Sequence, residues 1–122
     1  MAEPAGVLGG IAEAKRKELR SRFVGVSLDA LRARAEPSGR SLTEALARPG
    51  ARFILEIKKA SPSRGPIRLG ADPAAIARGY DGVADALSVL TDSAHFGGSL
   101  TDLAEARAEF DGPILALSLI HI

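Results

Sequence analysis

Two ionisable side chains, two residues apart at the end of an apolar run, are the first feature of this chain that points to chemistry. Glu56 and Lys58 close the stretch Phe53-Ile54-Leu55-Glu56-Ile57-Lys58. Residues two apart in a strand share a face. The spacing therefore predicts Phe53, Leu55 and Ile57 on one side of a strand, with Ile54, Glu56 and Lys58 on the other. A strand this apolar normally has both faces covered, so a carboxylate and an ammonium there suffer desolvation unless they pair or meet a charged ligand. The spacing alone leaves three arrangements open: an ordinary buried ion pair, a pair at a solvated strand end, and a pair offered to a ligand. Ser61-Pro62-Ser63-Arg64-Gly65 follows and must be a turn, because proline fixes φ and serine and glycine are loop formers.

The surrounding elements are those that must position this pair. Val7 to Phe23 reads as an amphipathic helix, with Leu8, Ile11, Ala12, Leu19 and Phe23 near one stripe. Lys15, Arg16, Lys17, Arg20 and Arg22 are expected on its other face, solvated and within reach of Glu13 and Glu18. Ser27 is placed to cap a short helix that must end near Pro37-Ser38-Gly39. Ser41-Leu42-Thr43-Glu44 fits a capping box and starts another, which stops at Pro49-Gly50. Residues 1–50 thus form a helical extension ahead of the first strand.

From residue 51 to 122 the rhythm is strand, loop, helix. Asp72-Pro73 offers an N-cap and a proline at the first helical position, and the helix runs through Ile76 and Tyr80, weakened by Gly79. Ala86 to Thr91 is a second apolar run. Ser99 caps a helix carrying Leu100, Leu103, Ala104, Ala106 and Phe110. Asp111-Gly112-Pro113 breaks that helix, and Ile114-Leu115 begins a third strand. This βαβαβ order implies an α/β fold with parallel strands and right-handed crossovers. Pattern alone leaves a doubly wound sheet and a (β/α)8 TIM barrel both open. Neither a dinucleotide fingerprint nor a P-loop follows the first strand, which weighs against a nucleotide-binding sheet. Charged residues at the end of a strand match the barrel rule, although a complete barrel takes about 250 residues.

Composition excludes several classes of function. The chain has 122 residues, 46% hydrophobic and 25% charged, with a formal net charge of +1. Such a balance gives no reason to expect nucleic acid or membrane partners, and no apolar run reaches the roughly 20 residues that span a bilayer. The N-terminus lacks the pattern of a secretion signal. Cysteine is absent and only two histidines are present, which speaks against disulfides, thiol chemistry and structural zinc and fits a cytoplasmic protein.

Glu56-Ile57-Lys58-Lys59-Ala60-Ser61-Pro62-Ser63, followed by a basic residue and Gly65, resembles the first barrel strand and loop of the indole-3-glycerol-phosphate synthase family. Asp72 to Ala77 is similar to that family's first barrel helix, and Ser88-Val89-Leu90-Thr91-Asp92 to its second strand. Phe96-Gly97-Gly98-Ser99-Leu100 resembles its aromatic-x-Gly-Ser loop, and Pro113-Ile114-Leu115 the opening of its third strand. These segments stand in the family's order between Ala51 and Leu115, with a looser likeness in the N-terminal helix. The resemblance implies the N-terminal portion of a TIM barrel, about three strands long, behind a helical extension.

It also implies a lyase of tryptophan biosynthesis that needs no metal or organic cofactor. The substrate is 1-(2-carboxyphenylamino)-1-deoxyribulose 5-phosphate, a small phosphorylated molecule, which closes a ring with loss of carbon dioxide and water. On this likeness Glu56 is an acid/base group in the dehydration. Lys58 offers positive charge to the substrate carboxylate or phosphate and assists proton transfer. Ser61 hydrogen-bonds near the anthranilate carboxylate, and Phe96 lines the apolar ring pocket. Read without the family, Ser61 is a turn cap, Phe96 a core aromatic and His95 a loop residue. The segment from Tyr80 to Ser88 looks one residue short of the family's commoner version and resembles synthases fused to a phosphoribosylanthranilate isomerase, which implies a fused or associated isomerase as partner.

The likeness stops at about Ala116. The family's third strand continues Pro-Ile-Leu-x-Lys-Asp-Phe, and its lysine is the principal general acid. Here Leu117 holds that position, in Ala116-Leu117-Ser118-Leu119-Ile120-His121-Ile122. Three strands of a barrel leave an open edge and an uncovered interior. The expectation is a truncated piece, poorly stable and inactive alone. The alternative is a non-catalytic half-barrel that assembles with a complementary partner chain.

Overall fold

The computed structural model describes residues 5–118, of which 5–38 belong to one compact unit and 39–118 to another. In the first unit, α1 (Gly6–Arg22) is followed by α2 (Leu28–Arg34). The Ser27 hydroxyl accepts the Ala30 N–H at 3.1 Å, the expected cap. Ile11 and Ala12 are buried on α1, and so is Lys15, expected on the solvated face. Lys15 lies four residues after Ile11 and three after Ala12, which puts its methylene stem in the apolar stripe. Its ammonium reaches Glu18 at 2.5 Å.

The second unit carries the sheet. Helix α3 (Leu42–Ala47) begins at Ser41, whose hydroxyl accepts the Glu44 N–H at 3.1 Å. Strand β1 (Ile54–Ile57) leads into a two-rung antiparallel hairpin, β2 (Ala60–Ser61) with β3 (Gly65–Pro66). This hairpin occupies the stretch expected to be only a turn. Helix α4 (Pro73–Tyr80), β4 (Ala86–Leu90), α5 (Leu100–Glu109) and β5 (Ile114–Leu117) complete the unit. Asp72 and Ser99 both cap as expected, accepting the N–H of Ala74 and of Asp102 at 3.0 Å.

β1, β4 and β5 form a parallel three-stranded sheet in that order, with β4 central. Leu55 stands opposite Leu87 and Ile57 opposite Val89 on the neighbouring strand. These four residues face α4 and α5, joining Ala77, Ala106 and Phe110 in one core. Both crossover helices thus pack on the same face of the sheet, and strands adjacent in sequence are adjacent in space. A doubly wound sheet would put helices on both faces.

The edge of the sheet where the strands begin is clamped by Asp85. Its carboxylate accepts the Phe53 N–H at 2.8 Å and the Arg52 guanidinium at 3.1 Å. The backbone hydrogen bond, with the guanidinium second, holds this carboxyl below the usual carboxylate range. Arg52 also donates to the Pro49 carbonyl, so the loop after α3 is fastened to the entry of β1.

Candidate active site

Parallel strands finish at one edge, and the loops after β1 and β4 meet there. Glu56 and Lys58 project from the same face, their carboxylate and ammonium 2.7 Å apart, with side chains 37% and 35% exposed. The pair is therefore half-exposed at a strand end rather than sealed in the core. Tyr80, the last residue of α4, donates its hydroxyl to the Glu56 carbonyl at 3.3 Å, bracing the backbone beneath the pair.

The register defines what lies beside them. Glu56 stands opposite Ser88, and Ser88 opposite Leu115. In the next layer Leu90 stands opposite Leu117. One residue beyond the Ile57–Val89 partnership, Lys58 continues toward that layer. Leu117 closes it with an apolar side chain, and its carbonyl accepts both the Thr91 N–H at 3.0 Å and the Thr91 hydroxyl at 3.2 Å.

Ser61 is buried in the hairpin, where its hydroxyl accepts the Arg64 N–H at 3.2 Å and lies 3.4 Å from the Ser63 hydroxyl. In this structure it caps the turn. Phe96 is half-buried in the loop after β4. Its carbonyl accepts the Ala60 N–H at 3.1 Å, which joins the two loops directly. The backbone therefore brings Ser61 and Phe96 to the same edge as Glu56 and Lys58.

The glycine pair after Phe96 makes this joint possible. Gly97 has φ +62°, and a Cβ on it would lie 3.3 Å from Leu69 and under 4 Å from Lys59 and Ala60. Gly98 is tighter still: an added Cβ would lie 2.0 Å from the Leu90 carbonyl oxygen. Asp92, 1% exposed, organises the same loop. Its carboxylate accepts the His95 N–H at 3.0 Å and its carbonyl accepts the Gly98 N–H at 2.8 Å. His95 is thus held by its backbone, with its imidazole Nδ1 3.7 Å from Asp92.

Two residues at this edge escape a reading of the sequence by motif. Lys59 and Asp102 form an ion pair at 3.0 Å, with side chains only 15% and 10% exposed. The period of two was the available signal, since it carries Lys59 to the side of Ile57 and the helices. Among the described residues no group of three acidic, histidine or cysteine side chains stands close enough to hold a metal ion. No helix among them is long and apolar enough to cross a membrane.

A family model described as indole-3-glycerol phosphate synthase matches residues 8–120. Among curated relatives, the indole-3-glycerol phosphate synthase of Streptomyces griseus is 44% identical over 117 residues, 93% of this chain and 44% of the relative. That of Mycolicibacterium gilvum is 44% identical over 119 residues, 95% of this chain and 44% of the relative. Indole-3-glycerol phosphate synthase 1 of Streptomyces coelicolor is 41% identical, over 93% of this chain and 44% of the relative. The chain spans less than half the length of these relatives.

Proposed function

Since this chain belongs to the indole-3-glycerol phosphate synthase family, we propose that it supplies part of the active site for the ring closure this family is named for. The substrate in this reading is 1-(2-carboxyphenylamino)-1-deoxyribulose 5-phosphate. A bond forms between the ring carbon bearing the carboxylate and the ketone carbon of the sugar. The ketone oxygen takes up a proton. The carboxylate leaves as carbon dioxide and restores the aromatic ring, and the new hydroxyl then leaves as water. Each oxygen that gains a proton needs a positioned acid, and the dehydration also needs a base.

The observation that carries this reading is the Glu56–Lys58 pair, 2.7 Å apart and half-exposed at the carboxyl edge of a parallel sheet. That edge is where barrel enzymes do their chemistry. In this assignment Glu56 transfers protons during the dehydration, and Lys58 presents charge to the substrate's carboxylate or phosphate. Ser61 donates near the anthranilate carboxylate, and Phe96 packs against the ring. The three parallel strands are in turn the first three of an eight-stranded barrel. Their sequential order, with both helices on one face, supports that assignment.

Leu117 favours a second reading for the 122-residue chain taken alone. It stands where the family's strand resembling β5 carries the lysine that acts as principal acid, and a leucine has no proton to give. On that reading the chain is a half-barrel that contributes Glu56 and Lys58 to an assembly with a complementary chain.

Turnover measured on the protein in its full encoded length, by the fluorescence of the indole product, tests both readings. Glu56→Gln and Lys58→Met are each expected to lower kcat by about 100-fold or more, whereas undiminished turnover in both variants would refute the assignment. Turnover that requires a second chain supplying the remaining length would favour the half-barrel.

A further inference from the structure

We propose that Lys59 is a positioning residue, whose ion pair with Asp102 holds the hairpin segment 60–68 against the first turn of α5 and thereby sets the direction of Glu56 and Lys58. The role rests on the reading of Glu56 and Lys58 as site residues.

Two adjacent ammonium groups leave β1 in opposite directions. Lys58 turns to the face of Glu56 and stays half-exposed. Lys59 turns to the helix side, where its Nζ meets Asp102 at 3.0 Å with both side chains largely removed from solvent. Strand alternation makes these two choices one choice: the backbone rotation that places Lys59 toward α5 also places Lys58 away from it. An ion pair with little solvent around it tolerates poor geometry badly, because each charge unpaired there is strongly disfavoured. Lys59 is thus held in place by its side chain just past the last residue of β1.

Its backbone carries the rest of the loop. The Lys59 carbonyl accepts the N–H groups of Ile67 and Arg68, both at 2.9 Å. The next residue, Ala60, donates to the Phe96 carbonyl at 3.1 Å. Asp102 is fixed independently, since its N–H is bound by the Ser99 cap at 3.0 Å. One ion pair therefore ties the start and the end of the hairpin, the loop of Phe96 and the N-terminal turn of α5.

Amide hydrogen exchange of this chain, read with the carboxylate 13C shift of Glu56, tests the role without any turnover. It can therefore fail while the proposed activity stands, or hold while that activity fails. Lys59→Met keeps the stem and removes the charge. It is expected to speed exchange at Ala60, Ile67 and Arg68 roughly tenfold or more relative to Leu87 and Val89, and to move the Glu56 shift. Lys59→Arg restores both. Asp102→Asn, nearly the same shape, gives the same loop-specific loss and serves if Lys59→Met does not fold. Equal loss of protection in loop and sheet, or an unmoved Glu56 shift, overturns the role. So does unfolding of both uncharged variants while Lys59→Arg stays native, since the pair would then serve the whole unit rather than the loop.

Discussion

Replacing Gly98 by alanine tests the close packing that joins the β4 loop to the end of its own strand. In an unstrained site a Gly→Ala change stabilises by about 0.4–1 kcal/mol, because the unfolded chain loses freedom. At Gly98 the new Cβ would lie 2.0 Å from the Leu90 carbonyl oxygen and 2.7 Å from its carbon. Both are backbone atoms of the central strand, so no side chain can rotate away. Overpacking of this kind costs about 1–3 kcal/mol. Any displacement also pulls on Ser99, whose cap on Asp102 N–H is worth about 1 kcal/mol. The net expectation is a loss of about 2 kcal/mol. Gly79 is the internal control: it lies in α4 and an added Cβ meets nothing within 4 Å. Gly79→Ala should stabilise by up to about 1 kcal/mol. Urea unfolding followed by circular dichroism reads both variants, and a 2 kcal/mol loss moves the midpoint by about 1 M if m is about 2 kcal/mol/M. If Gly98→Ala matches or exceeds the parent midpoint, or moves in the same direction as Gly79→Ala, the packing argument is wrong.

Two further substitutions, one removing a charge and one adding one, have definite expected outcomes. Arg78 of α4 grips Glu109 of α5 with two hydrogen bonds, at 2.9 and 3.1 Å, and the bond from Arg78 holds the Glu109 carboxyl below the usual range. A lowered folded pKa adds stability that is present above the unfolded value and fades as pH falls through the folded one. The unfolding midpoint of Glu109→Gln should therefore lie below the parent at neutral pH and converge with it in acid; a constant difference across that window would contradict this. Both side chains are partly solvated, 62% and 34% exposed, so the difference should also shrink in high salt. Leu117→Lys should leave the unfolding midpoint nearly unchanged, since the residue is 37% exposed on an edge strand of the sheet. On the proposed reading it should tighten binding of the phosphorylated substrate by calorimetry, and unchanged affinity would count against a shared layer of Lys58, Leu90 and Leu117.

The parts of the fold legible in the sequence are those whose physics is local. The hydroxyls of Ser27, Ser41 and Ser99 and the carboxylate of Asp72 each bind an N–H two or three residues ahead, so composition and spacing were sufficient to place four helix starts. Strand β1 (Ile54–Ile57) is legible through the period of two in Phe53 to Lys58, which also puts Glu56 and Lys58 on one face. Lys59–Asp102 and Arg78–Glu109 join residues 43 and 31 apart, and nothing local indicates which carboxylate each cation will find. Lys15 departs from the solvated face that its charge suggests because most of its side chain is methylene, which packs in the apolar stripe of α1. The choice between a doubly wound and a singly wound sheet also lay beyond pattern. It depends on which face each crossover helix packs against, and only the shared core of Ala77, Ala106 and Phe110 decides that.

The site edge itself has a charge balance that bears on what it can bind. On the face of Glu56 the described ionic contact is one carboxylate with one ammonium, at 2.7 Å. Past Lys58, the neighbouring layer continues from Leu90 to Leu117 with no further charge, and Lys59 is turned to the other side and matched by Asp102. A pair neutral in itself exerts little long-range pull on an anion. A substrate carrying both a carboxylate and a phosphate needs positive charge in excess, and an ammonium at position 117 would supply it two strands from Lys58. With leucine there, Glu56 and Lys58 satisfy each other first. On the proposed reading, Glu56 and Lys58 stand close enough at the end of β1 to exchange a proton, while Leu117 of β5 offers no charge to a substrate that carries both a carboxylate and a phosphate.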